Sequence, residues 1–483
     1  MNSSIRRPPA PRKESKRRSR MGWLIVLCCL VLVLAAWLCG RRQSDPGIQR
    51  TAASTPPPAT ASSDTSARDR LFARMPQRGS NTETELTAGQ IVSNKVAQFT
   101  RHRRQVLDAM ARKLKVEVSD EVQRFFEAAE AGNWDEIDAV FKTLVELKKT
   151  DGPENPARLW GPILDTYGVA EQAHSWPAQK LLDYGHAVLD PLRPGMVYIG
   201  GTDEGRWIPE LVNDTSEGEQ HIIVTQNGLA DGSYLQYVSE LYGDRMNTLT
   251  QEDSQKAFQE YLTDAQQRFQ HDEQFPDEPK QIRPGEDVQV KDNRVQVSGQ
   301  VAVMAINEKL LQALMRNNPE LSFALQESFP LPGTYGNAAP LGPIMELGLQ
   351  DVQSAFTAER AAQSLDYWRG MAQQLAADPE ASGSPDTLKS YSKLALGQAN
   401  LLADHQYSAE AEQAYRLSTQ IWPGNIESVS DLSKLLLRTG RADEARRLMD
   451  DFERQFPDQK SEVEKARALC NFIASAPGTP PHP

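Results

Sequence analysis

Cysteine is almost missing from the body of this 483-residue chain: of four, Cys28, Cys29 and Cys39 fall in or at the end of one apolar run, and only Cys470 lies elsewhere. That excludes a disulfide framework or a thiolate metal site in the body, and Cys470 reads as a small buried helix residue. The seven histidines show no H-x-H, H-x3-H or H-E-x-x-H spacing, so no metal site is legible. G-x-S-x-G and the Gly-Lys-Ser/Thr of a phosphate-binding P-loop are also missing. No catalytic residue and no cofactor is therefore assigned; the leading reading is a protein other than an enzyme, with a weakly catalytic role kept as the alternative. Positive charge is scarce past residue 42. Residues 1–42 hold ten Lys/Arg and one Glu, or +9, so a whole-chain charge of −12 leaves −21 for the remainder. An acidic body argues against nucleic-acid binding, which draws its affinity from clustered Lys/Arg.

What is present begins with a basic tail, 1–21, and GWLIVLCCLVLVLAAWLCG at 22–40, an uncharged apolar run close to the ~20 residues that cross a bilayer. Eight Lys/Arg precede it and two follow, which under the positive-inside bias keeps the N-terminus cytoplasmic and exports the body. Trp37 and Leu38 stand where a signal-peptide cut needs small residues, so the run is expected to remain as an anchor. The Ser/Thr/Pro/Ala-rich segment 41–95 has few apolar anchors and is expected to be a disordered linker.

The body divides into three parts and a tail, 476–483, read as disordered. Residues 96–190 carry helical spacing. Val122, Phe125, Phe126 and Ala129 form one apolar face, and Ile137, Val140, Phe141 and Leu144 form another; Gly132-Asn133 breaks between them, predicting an antiparallel helix pair. His102, Arg103 and Arg104 read as a solvated helix face.

Residues 191–350 read as a Rossmann-like α/β domain. MVYI (196–199) and HIIVT (221–225) are strands, each followed by a helix (around 206–212 and over 232–242), and 253–269 is a third helix; this is the pattern of a parallel sheet. Alternating valines at 288, 290, 295, 297, 301 and 303 predict a hairpin about Asp292-Asn293. A helix over 307–316 and a strand at 321–325 complete the part.

Residues 351–475 contain an internal repeat. LLADHQYSAEAEQAY (401–415) recurs 34 residues later as LLLRTGRADEARRLM (435–449), with Pro423 matching Pro457. Here the chain resembles tetratricopeptide repeats. Ala411, Tyr415 and Pro423, then Ala445, Met449 and Pro457, follow the second half of that pattern; the aromatic and glycine of the first half are missing. Two units cannot bury their own faces, so helices over 357–376 and 461–474 are expected to complete the stack. The resemblance implies a protein partner bound by the repeats.

The loop YIGGTDEGRW (198–207) is the candidate ligand rim. If the two strands are neighbours, Thr202, Asp203, Arg206, Asn227 and Asp231 converge at their carboxyl ends, with Gly200 and Gly201 admitting close backbone approach. The plainer alternative has the glycines making a turn, Asp203 capping the helix and Arg206 pairing with an acid. The arrangement of this α/β part and the repeats resembles a family of bacterial membrane-anchored tetratricopeptide-repeat proteins. The strand with GGTD is more remotely similar to the soluble region of protein O-mannosyltransferase-like membrane glycosyltransferases. The first resemblance implies a protein-interaction or scaffold role at the bacterial inner membrane, single-pass, with the body periplasmic. The second implies, as the alternative, a non-catalytic or weakly catalytic ligand-binding accessory of envelope glycan or lipid glycosyl transfer.

Overall fold

The computed structural model describes residues 86–475 apart from Pro153, Thr202, Glu219, Asp292 and Asn293. The expected membrane segment 22–40 and most of the expected linker lie outside these residues. Every element below belongs to one compact unit, which begins at Ala88. Among the described residues no helix is long and apolar enough to cross a membrane.

The first helix corrects the expected linker, since α1 spans Ala88–Leu114 and takes in residues read as tether. Its apolar stripe, Val92, Val96, Phe99, Leu107 and Met110, runs at helical spacing and is buried. The pair α2 (Asp120–Ala131) and α3 (Trp134–Leu147) forms as the periodicity predicts, with Gly132 in the left-handed conformation between them (φ +69°). Helices α4 (Trp160–Ser175) and α5 (Ala178–Leu189) complete the helical segment.

Strand β1 (Val197–Gly200) leads to α6 (Glu204–Asp214), and β2 (Ile222–Thr225) leads to α7 (Gly232–Tyr242). Then α8 (Gln251–Gln274) precedes a two-stranded hairpin, β3 (Asp287–Lys291) and β4 (Arg294–Ser298). The hairpin is shorter than the valine alternation predicts, because Val301 and Val303 belong to α9 (Gln300–Asn317). Gly299 at φ +94° turns the chain from strand to helix. The valines continue past it, but the helix has already begun.

Strands β5 (Phe323–Leu325), β6 (Ala339–Leu341) and β7 (Ile344–Leu347) join β1 and β2 in one sheet ordered β2-β1-β5-β7-β6. Only β2, β1 and β5 are parallel; β7 runs antiparallel to β5 and β6. The expected parallel Rossmann-like sheet is therefore corrected to a small mixed sheet in a mostly helical protein. The sequence predicts no strand beyond 325; within the Pro/Gly-rich run at 329–343, Gly342 at φ +60° permits a tight turn between two short strands.

Both sheet faces are covered. Val197, Ile199, Ile222, Val224, Phe323 and Leu325 point into one core with residues of α2, α3, α4, α7 and α9. Tyr198, Ile223, Ala324 and Ile344 point into the other, with residues of α1, α5 and α6. Two-sided burial explains why MVYI and HIIVT read as unbroken apolar runs.

The C-terminal region is α10 (Ala358–Ala377), α11 (Pro385–Asp404), α12 (Ser408–Ile421), α13 (Ile426–Arg438), α14 (Ala442–Gln455) and α15 (Lys460–Ser475). Its residues enter both cores: Ala411 and Leu436 join the first, Trp368 and Tyr391 the second. The three parts of the body thus share their interiors.

Candidate functional site

The carboxyl ends of β2, β1 and β5 lie side by side, with Gly200 in register with Thr225. The loops that follow close on one another. Thr225 Oγ1 donates to the Gly201 carbonyl at 2.8 Å; Gln226 Nε2 and Asn227 Nδ2 donate to Ser328 Oγ at 3.0 and 3.1 Å. The Tyr198 hydroxyl lies 2.6 Å from the Gly205 carbonyl and 2.8 Å from Gln326 Oε1.

Glycine is needed here for packing. A Cβ on Gly200 would stand 2.7 Å from the Gly205 carbonyl, and one on Gly201 would stand 2.7 Å from Ser328 Cβ. The residue types expected to admit a ligand instead admit the neighbouring loops.

The remaining rim candidates separate. Thr202 lies outside the described residues. Asp231 caps α7, its Oδ1 accepting from the Ser233 amide at 2.8 Å. Asp203 precedes α6 but accepts no capping hydrogen bond. Its backbone sits at φ +58°, ψ −128°, a region that glycine occupies without strain and other residues rarely enter. Burial, with Glu204 next to it, pushes the Asp203 carboxyl up to about 6, against the opposing pull of Lys393. Glu204 is also desolvated, yet Lys393 Nζ at 3.4 Å holds it below its ordinary value.

Arg206 leaves the rim altogether. Its guanidinium is buried, ion-paired to Asp165 through Nη2 and to Glu210 Oε1 at 3.0 Å through Nε, with its carbon 5.0 Å from the Tyr234 ring centre. Arg103 joins the same cluster, with Nη2 2.6 Å from Asp214 Oδ2 and Nε 3.8 Å from Asp165 Oδ2. Tyr237 donates to Asp165 at 2.7 Å. Two arginines thus meet three carboxyl groups in the interior, and burial pushes Glu210 up to about 8 despite Arg206. The reading of 102–104 as a solvated face is corrected at Arg103, which is wholly buried, while His102 is exposed and Arg104 partly so. A signal was available: Arg103 stands four residues from Phe99 and four from Leu107, on the apolar stripe of α1.

The repeats form two helix pairs, α11/α12 and α13/α14. Ala411 and Ala445 are buried where the helices of each pair approach, and Met449 fills the second contact. Tyr415 does so in the first, donating to Asn400 Oδ1 at 2.8 Å. Pro423 and Pro457 each follow a helix end, where the missing amide proton disrupts no helical bond. Asn425 links the pairs, donating to Ser392 Oγ at 2.8 Å. On the outer helices Arg441 reaches Glu412 at 2.6 Å and Arg416 reaches Glu444 at 2.8 Å. At the end α15 packs Val463, Ala466 and Cys470 against Ile426, Val429, Met449 and Phe452, as a capping helix should.

The inner helix of the first pair is already covered. Nearly every side chain of α11 from Tyr391 to Leu402 is buried. Gln398 Nε2 donates to the Ile344 carbonyl of β7 at 2.8 Å, and His405 Nε2 lies 2.8 Å from the Tyr335 carbonyl. Glu327, just beyond β5, faces Gly397 of this helix. Burial pushes its carboxyl up to about 8, with Tyr335 and Asn400 opposing the shift. Gln226, Glu327, Ser328 and α11 are the site's unforeseen members; no motif marks them, because the loop after β5 and the first repeat helix meet only in three dimensions.

Residues 401–470 match the family model of the tetratricopeptide repeat. No curated protein and no solved structure matches the chain.

Proposed function

We propose that this tetratricopeptide-repeat protein acts by holding another protein through its C-terminal helices, as a membrane-anchored scaffold of the bacterial cell envelope. The observation that supports the reading is the 34-residue period realised as two helix pairs with a cap. Since the sheet covers α11, the partner is assigned to the second pair. There Glu427, Asp431, Lys434 and Arg438 recur at i, i+4, i+7 and i+11 along one side of α13. Glu427 and Arg438 are exposed, while Asp431 and Lys434 pair at 2.6 Å. Charges of both signs along one line suit a partner segment bearing the complementary order, which fixes register more than it adds affinity. The test is cross-linking capture with the full chain against Glu427→Lys/Arg438→Glu. The double variant should lose the captured partner while keeping its melting temperature; equal capture by both chains overturns the reading.

The anchor rests on the sequence of 22–40. Alkaline carbonate should leave the chain in the membrane pellet, and protease added outside the inner membrane should digest the body. Release of an intact chain into the carbonate supernatant would remove the anchor from the proposal.

A further inference from the structure

The β3–β4 hairpin is a two-stranded sheet of its own, so among the described residues no third strand lies beside its outer edges. Its valine face lies on α8 and α9, where Val288 packs with Tyr261, Ala265 and Ala302. Its other face carries Asp287, Gln289, Gln296 and Ser298, all exposed. Lys291 pairs with Arg294 across two intervening residues, and the register continues 290↔295, 289↔296, 288↔297. In such a hairpin the innermost pair exchanges both backbone hydrogen bonds and the pairs then alternate. The amide and carbonyl groups of Gln289 therefore face β4, and those of Val288 and Val290 face outward along the outer edge of β3. An edge of this kind is a template for another strand.

The sequence of that edge specifies which strand. Asp287-Val288-Gln289-Val290-Lys291 is self-complementary when two copies run antiparallel about Gln289. Asp287 then stands opposite Lys291, Val288 opposite Val290, and Gln289 opposite Gln289 of the second copy. The outward groups of Val288 and Val290 become the hydrogen-bonded pairs, so parity and charge agree, and opposite charges facing across a ladder stabilise it. The other edge, Arg294-Val295-Gln296-Val297-Ser298, sets Arg294 opposite Ser298 under the same operation and offers no charge match. Val290, 47 % exposed, is with Leu86 and Phe275 one of the most exposed large apolar side chains among the described residues. Opposite Val288 of a second copy it would be covered.

We infer that β3 is a homodimerisation edge, joining two copies of this chain through an antiparallel β3–β3 ladder into a four-stranded sheet with its two-fold axis at Gln289. A two-fold axis closes the assembly at two copies, because each edge is used once. The inference is independent of the partner assigned to the repeats.

The test is disulfide trapping in the full chain with its four cysteines replaced by serine. Opposed residues in a pair that is not hydrogen-bonded stand about 4.5 Å apart at Cα, within reach of a disulfide. Gln289→Cys should give a covalent dimer under mild oxidant, and Gln296→Cys on the other edge should not. Adding Lys291→Asp to Gln289→Cys places two acids opposite each other and should abolish the dimer band; adding Asp287→Lys as well should restore it. Equal trapping at 289 and 296, no trapping at 289, or trapping unchanged by Lys291→Asp each overturns the inference.

Discussion

Asp203 shows what one residue contributes when its backbone and its charge are both held at a cost. Its φ of +58° suits glycine, so Asp203→Gly should raise stability by about 1 kcal/mol, read as a urea midpoint, because the strain is released. The carboxyl adds a second term. Burial lifts it to about 6, above an unfolded value near 3.9, so the folded state binds the proton more tightly. Stability from this group is complete below about pH 4 and is lost as pH rises through 6. Asp203→Asn should therefore stabilise by roughly 1–3 kcal/mol at pH 7.5 and leave the melting temperature unchanged at pH 3.5. An equal effect at both pH values would show that charge is not the cause. The buried cluster behaves oppositely: Asp165→Asn removes the carboxylate that Arg103 and Arg206 share, leaving two buried guanidinium groups with Asp214 and Glu210 alone, and removing one partner of such a group costs about 3–5 kcal/mol.

At the scale of elements, the repeats depend on small residues where helices meet. Ala411 has no exposed surface and Ala445 almost none. Replacing either with Leu inserts three carbons into a filled contact and should cost roughly 1–3 kcal/mol, measured by chemical denaturation. Exposed Ala442, at the start of α14, should accept Leu within about 0.5 kcal/mol. These positions were legible because a helix pair repeats its contacts at the period of its sequence. Helices α2 and α3 were legible for a related reason, since their apolar faces and the Gly132 break are local. The hairpin was legible only to Ser298. Alternation of valines continues to Val303, yet β-branched residues enter a helix at small cost once Gly299 has turned the chain.

For the whole molecule, the shared cores tie the repeats to the sheet. Deleting 385–483 would bare Glu327, Ile344 and the Trp368 core, and the remaining chain should lose its cooperative thermal transition instead of melting as an independent α/β domain. A sharp transition in that truncated chain would refute the dependence. Glu327 reports the same interface by pH. Its folded value of about 8 exceeds an unfolded value near 4.3, so its contribution falls as pH rises from about 4 to 8 and is flat beyond. Glu327→Gln keeps an uncharged acceptor for the Leu331 amide. It should raise stability at pH 9 by on the order of 2–4 kcal/mol and leave pH 4 unaffected.

The sequence by itself determined the α2–α3 pair, the strands β1 and β2 and the 34-residue repeat, because each follows from spacing within one segment. Only the tertiary structure decided that Arg206 turns inward, that β7 and β6 run against the parallel strands, and that α11 seals the sheet's carboxyl edge. The reason is physical: a buried charge, a strand's direction and a covered groove are each fixed by partners far away in the chain, such as Asp165 for Arg206 and Ile344 for Gln398. No spacing within ten residues of either member records such a pairing.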